Sequence, residues 1–473
     1  MVTQGKHTPQ FKALSSDGAW QIYSAALEVL NKVGIRFQHE EGQRLLQDGG
    51  ASLASDGITL RIPTRLVERC LAQTPKKVLL AGRIPKNDLL LEAGGEAFFE
   101  AAGTSEFILD LETGERRPGR HEDTIQCLKL IDALSNVRIG PRCVVPREVP
   151  VTFMDIRIVE LALENTGKHI AYSGQNLIQN DELVLKLSSL VVGGRKELQK
   201  RPLTHIRVSP VSPLVYGRDA VDKLFLATRW GVPLQIGSTP IAGGNGPITL
   251  AGSLVVATAE TMAGIVLTQL AAPGTPVIFA GKIDALDLVR GDERRDALEH
   301  ITASAGFIQI KKDCFGLPSY INLMSTEAVC PDGQTALKHG IGGLIAALAG
   351  ANIIAKGGGF NEIFGIAKRL LMGIEVNEDT LALEAIERVG PGGNFLTDRH
   401  TLKHMRPTWF VPPLFNYDKW EVWQSKGAKD YVARAREKAR ELLREHQPAP
   451  LDEKLVQELR REVEAFEKEV QYA

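Results

Sequence analysis

The chain predicts a (β/α)8 barrel, and three observations carry that prediction. Short apolar or β-branched runs recur at intervals of roughly 30 to 45 residues. Segments with helical periodicity fill the gaps between them. The stretches that follow the runs are dense in Gly, Pro, Ser and amide side chains, the composition of loops at the ligand-binding end of parallel α/β folds.

Residues 1–96 read as an accessory region. Trp20, Tyr23, Leu27 and Leu30 recur at helical spacing, and Leu60-Arg-Ile-Pro63 leads into a helix over 64–73 that Thr74-Pro75 ends. The barrel is assigned to residues 97–400. Its strands are expected at 97–101, 137–145, 169–173, 203–209, 232–237, 275–280, 319–324 and 352–356. Helices are expected at 121–134, 153–165, 181–192, 219–230, 248–272, 294–311 and 334–349. Residues 401–473 form an extension with charged helices at 429–438 and 451–470. The stripe Leu455, Leu459, Val463 and Phe466 is expected to pack on the chain's own domain.

The centre of the chain is a strand, loop, helix, strand unit over residues 231–281. Its helix, 250–272, is long enough to span a bilayer, but it is rich in Ala, Gly, Thr and Ser and carries Glu260. A buried barrel helix is the expectation, with Glu260 a satisfied structural carboxylate.

Composition sets broad bounds. At 473 residues the chain holds one large α/β domain with additions or two to three average domains. Hydrophobic residues at 44% and charged residues at 24% are those of a packed globular protein. A net charge of -1 gives no global attraction to nucleic acid or an acidic membrane. The N-terminus shows no apolar signal-peptide core, so a cytoplasmic location is expected. Five scattered cysteines without a CxxC pair speak against a disulfide framework and a Cys-based metal site.

Motifs for phosphate loops, dinucleotide binding, HExxH zinc sites and GxSxG nucleophiles are missing from the sequence. His400 and His404 share one helix face at i, i+4, but no carboxylate accompanies them locally, and they are read as solvated or structural. His339, beyond the seventh strand, is open to a capping, core or site role.

A set of landmarks in one order resembles a known family. Ser212-Pro-Leu214, Gly246-Pro-Ile-Thr-Leu-Ala-Gly252, Ala259-Glu-Thr-Met-Ala-Gly264 and Pro273-Gly-Thr-Pro276 resemble the central signature of the trimethylamine and glycine betaine methyltransferases. Asn165-Thr-Gly-Lys-His169, Pro331-Asp-Gly-Gln334 and Asn394-Phe-Leu-Thr-Asp-Arg-His400 extend the likeness over nearly the whole chain. The resemblance implies a TIM barrel that moves a methyl group from an amine to the Co(I) form of a separate corrinoid protein. The trimethylamine branch uses pyrrolysine. This chain has only standard residues and runs unbroken through 319–334, so it resembles the branch acting on quaternary amines such as glycine betaine.

A quaternary cation cannot donate an N–H hydrogen bond and is held by aromatic faces and carboxylates. Phe99, Glu100, Tyr320, Phe360 and Glu362, at or near expected strand ends, are the candidates for that role. Asn245, Gln334 and His339 are the candidates for a substrate carboxylate. No catalytic side chain is assigned, and no metal is expected on this chain. The cobalamin is expected on a partner, because no Asp-x-His-x-x-Gly cobalt-ligating pattern is found. A homo-oligomer is left open. The rival readings are a zinc-assisted methyltransferase on a similar barrel and a quaternary-amine sensor without turnover.

Overall fold

A computed structural model of the chain describes residues 8–472 apart from 102, 104, 141–142, 173, 175–176, 295 and 356–360. Eight parallel strands form the barrel: β1 (Phe98–Glu100), β2 (Val137–Gly140), β3 (His169–Ala171), β4 (Thr204–Val208), β5 (Leu234–Ser238), β6 (Val277–Gly281), β7 (Tyr320–Ile321) and β8 (Ile353–Ala355). They pair in the order β6-β5-β4-β3-β2-β1-β8-β7, and a parallel bridge between Phe279 and Ser319 joins the two ends of the sheet. All eight lie inside the expected strands or overlap them. They were legible because each is largely buried, so apolar and β-branched residues dominate every run.

Each strand is followed by a helix: α1 (His121–Ala133), α2 (Val151–Asn165), α3 (Ile178–Val192), α4 (Arg218–Trp230), α5 (Leu250–Ala271), α6 (Leu298–Ile310), α7 (Gly333–Ala349) and α8 (Asn361–Leu371). Helix α8 was not expected from sequence. It buries Phe364 and Ala367 against the barrel, and it ends the barrel at Leu371 rather than at 400.

The apolar helix α5 owes its all-round hydrophobicity to two neighbours. Strands β5 and β6 cover one side, and the N-terminal helices Ser16–Glu28, Glu40–Gly49 and Thr64–Gln73 cover the other. Its most hydrophobic window is 72% buried, as a core helix requires. Gly264 is needed there, because a Cβ would lie 2.2 Å from the Tyr216 hydroxyl.

The accessory region also closes the floor of the barrel. A hairpin of Lys77–Leu80 and Leu89–Glu92 turns Val78, Leu80, Leu89 and Leu91 into one core with the inward side chains Phe98, Ile139, Ile278 and Ile353. Ligand access is thereby confined to the opposite end, where the strands finish.

Beyond the barrel, the helix Glu453–Tyr472 lies on α2 and α3. Leu459 and Val463 are fully buried, and Arg157 forks onto Glu467 at 2.6 and 2.7 Å, so the charged extension packs on its own domain. Residues 371–430 form an arm that differs from everything else in the fold. Only Ala385 and Pro412 are buried in it, while Leu396 and Trp409 are 76% and 74% exposed.

Candidate active site inside the barrel

Strand alternation decides which residues face the barrel interior. On β1 these are Phe98 and Glu100, on β3 His169 and Ala171, on β4 His205 and Arg207, on β5 Gln235 and Gly237, and on β7 Tyr320. Toward the finishing ends of the strands, Glu100 accepts a hydrogen bond from Arg207 at 2.6 Å, and the guanidinium lies 5.0 Å from the centre of the Tyr320 ring. Glu100 is wholly buried. Its second oxygen, Oε2, is buried too and has no hydrogen-bond partner among the described residues. Burial opposes the Arg207 charge, but Glu100 and the Tyr320 hydroxyl more than offset it, so its pKa lies above the usual value.

Beneath this pair runs a chain of buried imidazoles. His169 Nδ1 lies 3.0 Å from the Ala81 carbonyl of the floor, and His169 Nε2 lies 2.9 Å from His205 Nδ1. His205 Nε2 then lies 3.1 Å from the Gln235 side-chain oxygen Oε1 and accepts from Arg207 Nε at 3.4 Å. With both rings neutral, each Nδ1 donates and each Nε2 accepts, which satisfies the links from the Ala81 carbonyl through His205 to Arg207 and leaves Gln235 Oε1, itself an acceptor, beside His205 Nε2 without a hydrogen bond between them. Burial, aided by the Arg207 charge, lowers His169 to about 4 and drives His205 well below its ordinary value.

These shifts fix the sign of a pH effect. Below about pH 6.5 the unfolded chain binds protons that the folded histidines refuse, so stability falls as the pH drops toward about 4. His169 alone is expected to lower stability by about 2 kcal/mol between pH 7.5 and pH 5. Urea unfolding at the two pH values should show this loss, with a smaller one in His169→Gln. Equal losses in both proteins would contradict the assignment.

The frame of the site is held by buried charges behind the strands. Glu260 accepts from the Leu214 backbone at 2.6 Å, from Ser212 at 2.8 Å and from Ser238, so it ties the loop after β4 and the end of β5 to α5. Its structural role, expected from sequence, is the observed one. Lys311, fully buried, donates to the carbonyls of Gly281 at 3.1 Å and Tyr320 at 3.2 Å, and it sits 4.1 Å from the centre of the Phe307 ring. Burial pushes its pKa well down. The contact fixes the backbone of β7 under Tyr320.

Of the eight residues singled out from sequence, the structure brings Glu100 and Tyr320 together, joined through Arg207. Phe99 is a correction: adjacent strand residues face opposite sides, and its ring points outward onto Phe364 with centroids 4.1 Å apart. Asn245 accepts from the Ile241 backbone at 2.6 Å within its own loop. Gln334, exposed on the first turn of α7, donates to Asp296 at 2.6 Å and latches the loop after β7. Glu362 is buried on the first turn of α8, 3.4 Å from the Tyr431 hydroxyl of the extension. His339 is buried on α7, and Phe360 lies outside the described residues.

Arg207 was missed, although Thr204-His-Ile-Arg-Val208 held the signal. Two polar residues at i, i+2 in a strand buried on both faces must share the inner face. A cavity of about 800 Å³ opens at the other end of the barrel around Gly95, Ala351 and Lys312. It lies before the strands begin, far from the paired charges, and plays no part in this site.

Comparisons with known proteins agree with the barrel fold and give its family. The family described as trimethylamine methyltransferase (MTTB) matches residues 2–470. A protein named trimethylamine methyltransferase MttB from Desulfitobacterium hafniense (strain DSM 10664 / DCB-2) is 31% identical over 96% of this chain and 94% of its own length. A glycine betaine methyltransferase from Desulfitobacterium hafniense (strain Y51) is 25% identical over 95% of each. Among solved structures, the Methanosarcina barkeri monomethylamine methyltransferase MtmB superposes with a TM-score of 0.52 at 12% identity, covering 92% of this chain and 88% of that one. At that identity the likeness speaks for the fold alone.

Proposed function

The chain belongs to the trimethylamine methyltransferase (MTTB) family, and from that premise we propose that it moves a methyl group from glycine betaine to the Co(I) centre of a separate corrinoid protein. One observation carries the choice of donor: opposite charges, Glu100 and Arg207, stand side by side in the buried interior, with one carboxylate oxygen unused among the described residues. A zwitterion answers both. Its carboxylate meets the guanidinium, and its trimethylammonium meets Glu100 Oε2 and the Tyr320 ring.

The chemistry asks little of the protein beyond this. Breaking the N–CH3 bond leaves its electron pair on nitrogen and releases neutral dimethylglycine nitrogen, so no acid has to protonate the leaving group. Co(I) supplies the pair for the new bond to carbon and becomes formally Co(III). Catalysis is then desolvation and aim: the barrel holds the cation with a methyl group turned toward the mouth, where the corrinoid protein docks over the strand ends. Ala171, Gly237 and Ala280, all small and inward at the finishing ends of their strands, suit such an approach.

Trimethylamine is the second reading, favoured by the 31% identity to the protein that bears that name. It has no carboxylate to answer Arg207, and this chain carries only standard residues. An anaerobic assay with Co(I) cobalamin, free or protein-bound, separates the two through the absorbance of methylcobalt. Turnover with glycine betaine and little with trimethylamine supports the proposal; the reverse order overturns the choice of donor. Betaine binding without methyl transfer to either acceptor would identify a sensor.

A further inference from the structure

The exposed arm holds a second constellation, remote from the barrel interior. Asp379, His400 and His404 bring one ligand atom each to within 4.8 Å of one another. The two histidines occupy successive turns of the helix Arg399–Thr408, with rings 4.3 Å apart, and Asp379 comes from the short helix Glu378–Leu381, 21 residues before His400. We propose that these residues bind a divalent transition metal of the zinc type, and that the ion staples the arm.

The donor chemistry fits. Two imidazoles and a carboxylate form a ligand set for zinc, with solvent at an open fourth position. In a tetrahedral site the donors stand about 3.3 Å apart, and His404 Nε2 already lies 3.2 Å from Asp379 Oδ2. That nitrogen is shielded from solvent, yet it makes no well-formed hydrogen bond among the described residues. His400 Nε2 lies 3.1 Å from the Asp379 backbone carbonyl, the kind of contact that orients a ligating ring and sets its tautomer. Lys403 holds the same carboxylate at 2.7 and 2.8 Å. A carboxylate has about four lone-pair positions, so this ammonium does not exhaust it.

The position gives the ion something to do. Residues 371–430 have almost no core, and a segment of that kind gains its order from a cross-link or a metal. Here the ion would join the helix Glu378–Leu381 to the helix Arg399–Thr408 alongside the Lys403–Asp379 contact, across a loop also tied by the Arg388–Asp398 ion pair at 2.8 and 2.9 Å and the Arg399–Glu384 pair at 3.6 Å.

The test uses the full-length chain, stripped by chelator and titrated with Zn²⁺ and with Co²⁺ as the spectroscopic probe. One Zn²⁺ per chain and intense visible bands from tetrahedral Co²⁺ are expected. Asp379→Asn and the paired His400→Ala, His404→Ala are each expected to weaken binding on the order of 100-fold or more. Zinc should slow tryptic cleavage within the arm several-fold in the parent and not in the variants, while methyl transfer is unchanged. No saturable binding, or equal binding by parent and variants, overturns the proposal.

Discussion

Arg207→Met, made alone, is expected to destabilise the folded chain by about 3–5 kcal/mol. The cause is the partner left behind. Glu100 is wholly buried, its Oε2 has no hydrogen-bond partner among the described residues, and Oε1 would lose the hydrogen bond it accepts from Arg207. An uncompensated carboxylate in the barrel interior costs far more than the ion pair contributes. The double change Glu100→Gln with Arg207→Met removes both charges and is expected to recover most of the loss, because a neutral amide and an apolar side chain need no counter-ion. Thermal or urea unfolding of the two single variants and the double variant completes the cycle. Additive losses would mean that the two residues do not depend on each other.

The same double variant is expected to fold and to lose activity. If Arg207 and Glu100 read the two ends of glycine betaine, removing both lowers kcat/KM for that donor on the order of 100-fold or more. Transfer from an amine without a carboxylate should change much less. Unaltered selectivity in a folded double variant would leave the pair with a structural role only. The comparison is decisive because stability and donor choice are measured on the same protein.

The barrel was legible where burial writes itself into composition. Its eight strands are buried and apolar on their outer faces, and most of its helices carry a 3.6-residue period, so both survive reading one residue at a time. The elements that were missed depend on partners distant in sequence. Helix α8 follows a glycine-rich run and becomes recognisable through Phe364 stacking on Phe99, more than two hundred residues earlier. The floor hairpin, Lys77–Leu80 with Leu89–Glu92, is short, and its apolar alternation has meaning only once there is a barrel to close.

The site was half legible for the same reason. Glu100 and Tyr320 were found as strand-end residues, but naming Phe99 beside Glu100 ignored the rule that neighbours on a strand face opposite ways. Applied to β4, that rule would have placed His205 and Arg207 together inside the barrel. Gln334 and Glu362 lie on the first turns of the helices that follow β7 and β8, and their bonds to Asp296 and Tyr431 depend on how loops and the extension fold back. His400 and His404 lacked a carboxylate only while the chain was read as a line; folding supplies Asp379.

The most direct test of the account follows the methyl group itself. Glycine betaine labelled with ¹³C in its N-methyl groups, incubated anaerobically with the purified chain and a Co(I) corrinoid protein, should give labelled methylcobalt and dimethylglycine in equal amounts. Label that reaches cobalt from trimethylamine but not from betaine, or from neither amine, would contradict it.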